Sequence, residues 1–381
     1  MEESVKDLVD LRRRLHTLAE PSHGESATAD ALIDFLAGMK AGPLTTRLGG
    51  FGLAATVHGR DPGPRVLIRS DMDALPIEDR IDGRHVSKTS GVGHKCGHDG
   101  HMAILCGLAR RLAKNPPERG EAVLLFQPAE ETGEGAALVL EDSAFAPLRP
   151  DSAFALHNLP GFPLGSVIAR TGCFASASRG MVIGLRGESA HAAEPHLARS
   201  PALAVSGLIA AISSLPQTAL ALNRPAKATV IHARLGSEAF GTTPGDAEVM
   251  ATLRTYSDSA MRTLAEAAER LARSAGEPDR LKVSVDWKQD FPATTNSASA
   301  VRTVRSCAEA LGLAVLEPDA PFPWSEDFGH FTGRFGGALF GLGAGEDHPP
   351  LHNSGYDFPD TLLPIGVDLL ESVVRRSLAE D

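Results

Sequence analysis

The densest group of potential ligands in this sequence is Gly93-His94-Lys95-Cys96-Gly97-His98-Asp99-Gly100-His101, where three histidines, a cysteine and an aspartate fall within eight residues. Thiolate and imidazole are borderline-soft ligands that suit Zn, Mn, Co or Fe. On extended backbone, residues two apart share a side, so Cys96 and His98 are expected to face one ion together. Asp99 falls where a helix N-cap belongs, and His101 falls on the first helical turn. A second group is Phe126-Gln127-Pro128-Ala129-Glu130-Glu131-Thr132-Gly133. Its adjacent carboxylates follow an apolar strand, and ligands of open α/β sheets bind at the carboxyl ends of strands. Neighbouring side chains on extended backbone diverge. One glutamate can therefore hold a metal while the other leans toward a metal-held water as general base. A solvated acidic turn has the same composition.

Four further elements carry candidate chemistry. His157 ends an apolar run, where a lone histidine is more often structural than a ligand. His348 and His352 share a Gly/Pro-rich loop whose prolines forbid a helix, which suits the rim of a site. Asp71-Met72-Asp73 follows another apolar run and could ligate a metal or orient a ligating histidine. His191 and His196 lie in Ala190-His-Ala-Ala-Glu-Pro-His196. Other chemistries lack their motifs: there is no G-x-S-x-G elbow, no P-loop, and no G-x-G-x-x-G between a strand and a helix. Cys96 as a nucleophile, with a pKa depressed by nearby histidines, is conceivable. The number of neighbouring ligands favours metal.

The elements that must position these residues alternate. Apolar spacing predicts helices over 5–20, 26–39, 100–114 and 133–142, and strands over 51–58, 65–69, 121–127 and 152–158. That order implies a mostly parallel sheet with helices on both faces. From residue 174 to 290 the order becomes strand 180–187, helix 200–215, strands 227–236 and 246–256, helix 258–274 and strand 280–290. This βαββαβ succession is that of a ferredoxin-like domain inserted into the first. Helices over 297–312 and 360–379 and a strand over 337–342 complete the first domain. The expected fold is α/β, with one domain of residues 1–173 and 291–381 and an inserted one of 174–290.

The chain has 381 residues, is 43% hydrophobic and 22% charged, and carries a net charge of −11, so it can bury large cores and lacks the basic surface of a nucleic-acid protein. No apolar run is read as approaching the roughly 18–20 residues of a membrane span. The opening MEESVKDLVDLRRRL is polar rather than basic-then-apolar, and four scattered cysteines suit reduced thiols, so the cytoplasm is the expected compartment.

The whole constellation resembles the M20 family of metallopeptidases and amidohydrolases, in the subgroup of hippurate hydrolases, N-acyl-amino-acid deacylases and auxin-conjugate hydrolases. The matching stretches are Arg69–Pro76, Cys96–His101, Phe126–Glu131, Leu156–Asn158, Ala190–Ala193 with Pro195-His196, Ser325–Phe328 and Leu351–Asn353. The resemblance implies a hydrolase that cleaves the amide bond of N-acyl-amino acids with two divalent ions, Mn²⁺ or Zn²⁺. It maps the metal ligands onto Cys96, His98, Glu131, His157 and His352, with the Cys96 thiolate shared between the ions. It maps the general base onto Glu130, a ligand-orienting carboxylate onto Asp73, and an oxyanion-stabilising histidine onto His191. It implies that the inserted domain is a lid through which a homodimer forms. A dipeptidase acting on unblocked peptides and a non-catalytic metal-binding protein are the alternatives. Two departures stand out: Gly241-Thr-Thr-Pro-Gly245 replaces an Asn-Val-Ile-Pro-Asp segment, and Lys95 replaces a small residue.

Overall fold

Leu8, Leu11 and Leu15 line one stripe of α1 (Glu2–Leu18) and are buried together, as their helical spacing requires. The structure, a computed structural model, describes residues 2–83 and 85–379 and divides into two units. Unit 1 takes in Met1–Phe174, Thr294–Pro321 and Asp327–Asp381, and unit 2 takes in Ala175–Ala293 with Phe322–Glu326.

In unit 1, α1 is followed by α2 (Ser26–Met39), β1 (Leu44–Leu48), β2 (Gly52–His58), β3 (Asp61–Asp71), α3 (His98–Lys114), β4 (Arg119–Gln127), α4 (Gly135–Glu141), β5 (Ser152–Leu159), β6 (Val167–Ile168) and β7 (Gly172–Ala175). Unit 2 contributes β8 (Ala177–Arg186), α5 (Ala202–Ala219), β9 (Ala226–Leu235), β10 (Asp246–Thr255), α6 (Asp258–Gly276) and β11 (Lys282–Phe291). The chain then returns through β12 (Thr294–Asn296), α7 (Ala298–Ala310), β13 (Val315–Leu316), α8 (Gly329–Phe335), β14 (Gly337–Gly343) and α9 (Leu362–Ala379).

The large sheet of unit 1 runs β1-β2-β4-β3-β5-β14-β6-β13. Its centre, β4-β3-β5-β14, is parallel, with antiparallel pairings toward both edges. The central strands are apolar on both faces, as strands covered on both sides must be. Ile68, Leu124, Phe126, Phe154, Leu156 and Phe340 face a core built with α1, α2, α3, α7 and α9. Leu67, Val123, Leu125, Ala153 and Ala155 alternate with them and are equally buried. The sequence reading omits β1, β6, β7, β12, β13 and α8, because such short segments carry no periodic signal.

Unit 2 is an antiparallel sheet in the order β11-β8-β10-β9 with α5 and α6 packed against it, the expected ferredoxin-like βαββαβ arrangement. Met181, Ile183 and Leu185 of β8 and Val249, Ala251 and Leu253 of β10 form its buried face. One expectation is corrected here. Residues 202–219 carry no charge, and α5 is long and apolar enough by length and composition to cross a membrane. In the fold, Ala204, Val205, Leu208, Ile212 and Leu215 form a buried stripe against the sheet and α6, while Leu203 and Ile209 on the same helix are exposed.

Candidate metal centre

Parallel pairing brings the carboxyl ends of β3, β4 and β5 side by side. Asp71 and Asp73 leave β3, Glu130 and Glu131 follow β4, and His157 sits near the end of β5. The polar clusters of the sequence meet because each lies at the same end of a strand, where α/β sheets hold ligands. His98 opens α3, which packs on β3.

Cys96 and His98 do come together, but not on extended backbone. Gly97 between them has φ +91°, and a Cβ there would collide with the Asn158 amide. The left-handed turn starts α3 at His98. Donor atoms of Cys96, His98 and Glu131 all lie within 4.8 Å of one another. Cys96 Sγ is 3.5 Å from His157 Nε2, His98 Nε2 is 3.8 Å from Glu131 Oε1, and His352 Nε2 is 3.8 Å from Glu131 Oε2. These separations match the roughly 3.3–3.8 Å edges of a tetrahedral set with bonds of about 2.0–2.3 Å.

The ring nitrogens point the same way. His98 Nδ1 donates to the Asp73 carbonyl at 2.8 Å, and His157 Nδ1 donates to the Asn158 carbonyl at 2.8 Å. With each Nδ1 engaged, both rings present Nε2 as the nitrogen available to a metal, the arrangement of histidines that bind metal. His98 Nε2 is buried without a hydrogen-bond partner. Burial disfavours imidazolium here, yet the carboxylates of Asp71, Glu131 and Asp73 push the His98 pKa up to about 10. The position of Nε2 therefore favours positive charge, and the donor set fits divalent cations.

Asp73 lies with Oδ1 3.4 Å from His98 Nδ1, while Oδ2 accepts from Ser22 Oγ at 2.6 Å and from the Glu131 main-chain N–H at 2.9 Å. The glutamates do take different partners. Both sit in a tight turn rather than on extended backbone: the Gly133 N–H donates to the Glu130 carbonyl at 2.8 Å, and the preceding Ala129 has φ +50° with its N–H donating to Glu25 Oε1 at 2.8 Å. Glu131 turns toward His98 and His352. Glu130 is buried, with Oε1 3.4 Å from the Asp327 main-chain N–H. Asp327 is itself fixed by Arg69 at 2.8 Å and by Gln127 at 2.8 Å. His348 is not part of the group: its Nε2 donates to the Asp357 carbonyl at 2.7 Å. His191 belongs to unit 2, where its ring is exposed and Nδ1 accepts from the Ala193 N–H at 3.1 Å.

Asp99 is not a cap. Gly97 takes that position, and the Asp99 carboxylate turns inward to His16 Nδ1 at 2.8 Å and Arg12 at 3.2 Å. Arg12 and His16 lie one turn apart on α1, so both reach this buried carboxylate. His16 Nε2 bonds Asp79 at 3.0 Å, and Arg12 also pairs with Asp357 at 2.5 Å and Asp360 at 2.9 Å. Lys95, unexplained by sequence, completes the network. Its fully buried Nζ pairs with Asp79 and donates to the Tyr356 carbonyl at 2.9 Å. No local spacing reveals these partners, because they come from α1, two loops and α3.

The model of peptidase family M20/M25/M40 matches residues 67–376. The chain belongs to this family. The M20 chain is 31% identical over 374 residues to N-acetyl-L-cysteine deacetylase of Bacillus subtilis, covering 97% of this chain and 88% of that protein. It is 27% identical over 368 residues to N-acetyldiaminopimelate deacetylase of Listeria monocytogenes, covering 96% and 98%. Among solved structures, it superposes on the Bacillus subtilis YXEP protein, a dinuclear metal-binding peptidase of the M20 family, with a TM-score of 0.84 at 23% identity, covering 100% and 99% of the two chains. The M20 chain is a metal-dependent hydrolase.

Proposed function

We propose that this M20 hydrolase cleaves the amide bond of N-acyl-amino acids, releasing a carboxylic acid and a free amino acid. The observation that carries the reading is the donor set of buried Cys96, His98 and His157 with part-buried Glu131 and the exposed His352 at its rim, and with His98 Nε2 left without a hydrogen bond among them. The named activities of the two deacetylase relatives support the substrate class. The donor set suits two ions, the number bound by the dinuclear relative, and its mix of thiolate, imidazole and carboxylate suits Mn²⁺ or Zn²⁺. Bound divalent ions would supply an acidified water and polarise the scissile carbonyl.

The chain's own groups do the rest. Glu130 directly precedes the metal-facing Glu131 but turns its carboxylate toward the Asp327 main-chain N–H, and it takes the proton of the attacking water and passes it to the leaving amine. Asp73 holds the His98 ring. Nδ1 of His191 is an acceptor, so its proton resides on Nε2, where it can donate to a developing oxyanion. The altered segment Gly241–Gly245 braces this loop: the Ala192 N–H donates to the Gly241 carbonyl at 3.0 Å, and the Thr243 N–H to the Ala190 carbonyl at 2.8 Å.

A homodimer through unit 2, acting as a lid, is the proposed assembly. It is supported by the exposed Leu203 and Ile209 of α5 beside the unpaired edge of β9, where Ile231 is 62% exposed. The four cysteines form no disulfide with one another, which suits a reducing compartment such as the cytoplasm. The deciding experiment assays N-acetyl-, benzoyl- and longer acyl-amino acids against unblocked dipeptides, with Mn²⁺ or Zn²⁺ restored, on the wild type and on Glu130→Gln. The reading expects blocked substrates to be cleaved, and Glu130→Gln to keep its metal while losing at least a hundredfold in kcat. Turnover of unblocked dipeptides alone, or near-normal turnover by Glu130→Gln, overturns it.

A further inference from the structure

One ring nitrogen of His101 lies within 4.8 Å of a ligand atom of each of His98, His157 and Asp71, so by proximity it could be a metal ligand. Its hydrogen bonds exclude that. Nε2 lies 3.1 Å from the main-chain N–H of Asn158 and 2.9 Å from Asn158 Nδ2. A main-chain N–H can only donate, so Nε2 is the acceptor and carries no proton. The proton sits on Nδ1, which donates to Asp71 Oδ1 at 2.7 Å. Asp71 is held in turn by Arg69 at 2.7 Å. No lone pair of His101 remains for a metal.

What His101 holds is Asn158, every polar group of which is engaged. Nδ2 also donates to the Cys96 carbonyl at 2.7 Å, Oδ1 accepts from the Tyr356 hydroxyl, and the main-chain carbonyl accepts from His157 Nδ1 at 2.8 Å. The Cys96 carbonyl and the Tyr356 hydroxyl fix which way the amide faces. Asn158 thus grips the backbone of one proposed ligand and the ring of another. We propose that His101 is a positioning residue. In its Nδ1-protonated form, backed by Asp71 and Arg69, it locks Asn158, which sets Cys96 and His157 in the positions from which they bind metal.

This inference rests on Cys96 and His157 being ligands, and the test separates the two. Full-length protein is stripped of metal and titrated with Co²⁺, following the thiolate-to-Co²⁺ charge-transfer band, with circular dichroism as a check of folding. The wild type is expected to show the band, and its absence overturns the ligand reading. His101→Phe and Asn158→Asp are expected to bind Co²⁺ roughly 10–100-fold more weakly, with a shifted band and unchanged stoichiometry. His101→Gln, whose amide can both accept and donate, is expected to recover most of the affinity and the wild-type band. A His101→Phe or Asn158→Asp variant with wild-type band and affinity overturns the inference. So does loss of one ion per chain in His101→Phe, which would make His101 a ligand, or a His101→Gln variant no better than His101→Phe. If His101→Phe fails to fold, Asn158→Asp and His101→Gln decide by the same criteria.

Discussion

The main-chain N–H of His352 donates to the carbonyl of Lys95 at 2.7 Å, joining the loop that carries the most distant proposed donor to the residue just before Cys96. His352 has φ +64°, unusual for a residue with a side chain, so its backbone is held by this tie rather than by intrinsic preference. The Lys95 ammonium secures the same junction from inside through Asp79 and the Tyr356 carbonyl.

Lys95→Met is therefore expected to be costly. Asp79 keeps its bonds to His16 and the Ser87 N–H, so losing the Lys95 charge-assisted bonds is expected to cost about 1.5–3 kcal/mol. Urea unfolding measures this, and a loss under about 1 kcal/mol would show that the junction does not depend on the charge.

The His16 network gives a pH dependence with a defined sign. Burial opposes its imidazolium form, but Asp99 and Asp79 outweigh that and raise the pKa to about 9, against roughly 6.5 unfolded. His85 and His94 also face this ring, and Arg12 shares its Asp99 partner. A raised folded pKa gives stability that is fully present below pH 6.5 and lost as pH rises through 9. The contribution is on the order of 3 kcal/mol. His16→Gln is expected to lower stability at pH 6 and to flatten its decline between pH 6.5 and 9.5, measured as paired denaturant titrations. Parallel wild-type and variant profiles would contradict this.

His348 and His352 share a loop but should respond differently. His352→Ala is expected to weaken metal binding and reduce turnover by at least a hundredfold. His348→Ala removes only the bond to the Asp357 carbonyl and the edge contact with Tyr356, costing about 1–2 kcal/mol of stability with metal content unchanged. Metal analysis beside thermal unfolding of both variants checks the distinction.

Chelation should act on one unit only. A ligand at a hundred times its Kd stabilises by about 2.7 kcal/mol. Hydrogen exchange with and without Zn²⁺ is expected to gain protection around residues 94–101, 127–131, 157 and 352, and not along β8 to β11. Equal gains in both units would be inconsistent with a site confined to these residues.

For the proposed dimer, charging the exposed apolar surface with Leu203→Glu and Ile231→Lys is expected to halve the particle mass seen by light scattering. Neither side chain contributes to the buried core of unit 2, so the fold should be unaffected.

Much of this architecture is legible in the sequence, because long apolar periods name their elements without help. The helices α1, α2, α3 and α9 and the paired strands of unit 2 are read nearly to their ends. Of the site, the residues with characteristic types are legible: Cys96, His98, Glu130 and Glu131. Their supporting partners are not. Nothing in the surroundings of Asn158 announces that its amide spans Cys96, His101 and Tyr356, and Asp99 looks like a cap until Gly97 is seen to turn. Contacts between residues 60 to 350 positions apart leave no periodic trace; only the fold brings them together.

The separation of the proposed donors in sequence also orders events during synthesis. Cys96, His98, Glu131 and His157 leave the ribosome before the inserted unit, and His352 only after it. A nascent chain is thus without its full donor complement until the inserted unit has been made and the first has been rejoined. Capture of cations by the full proposed set would therefore wait until translation has passed that junction.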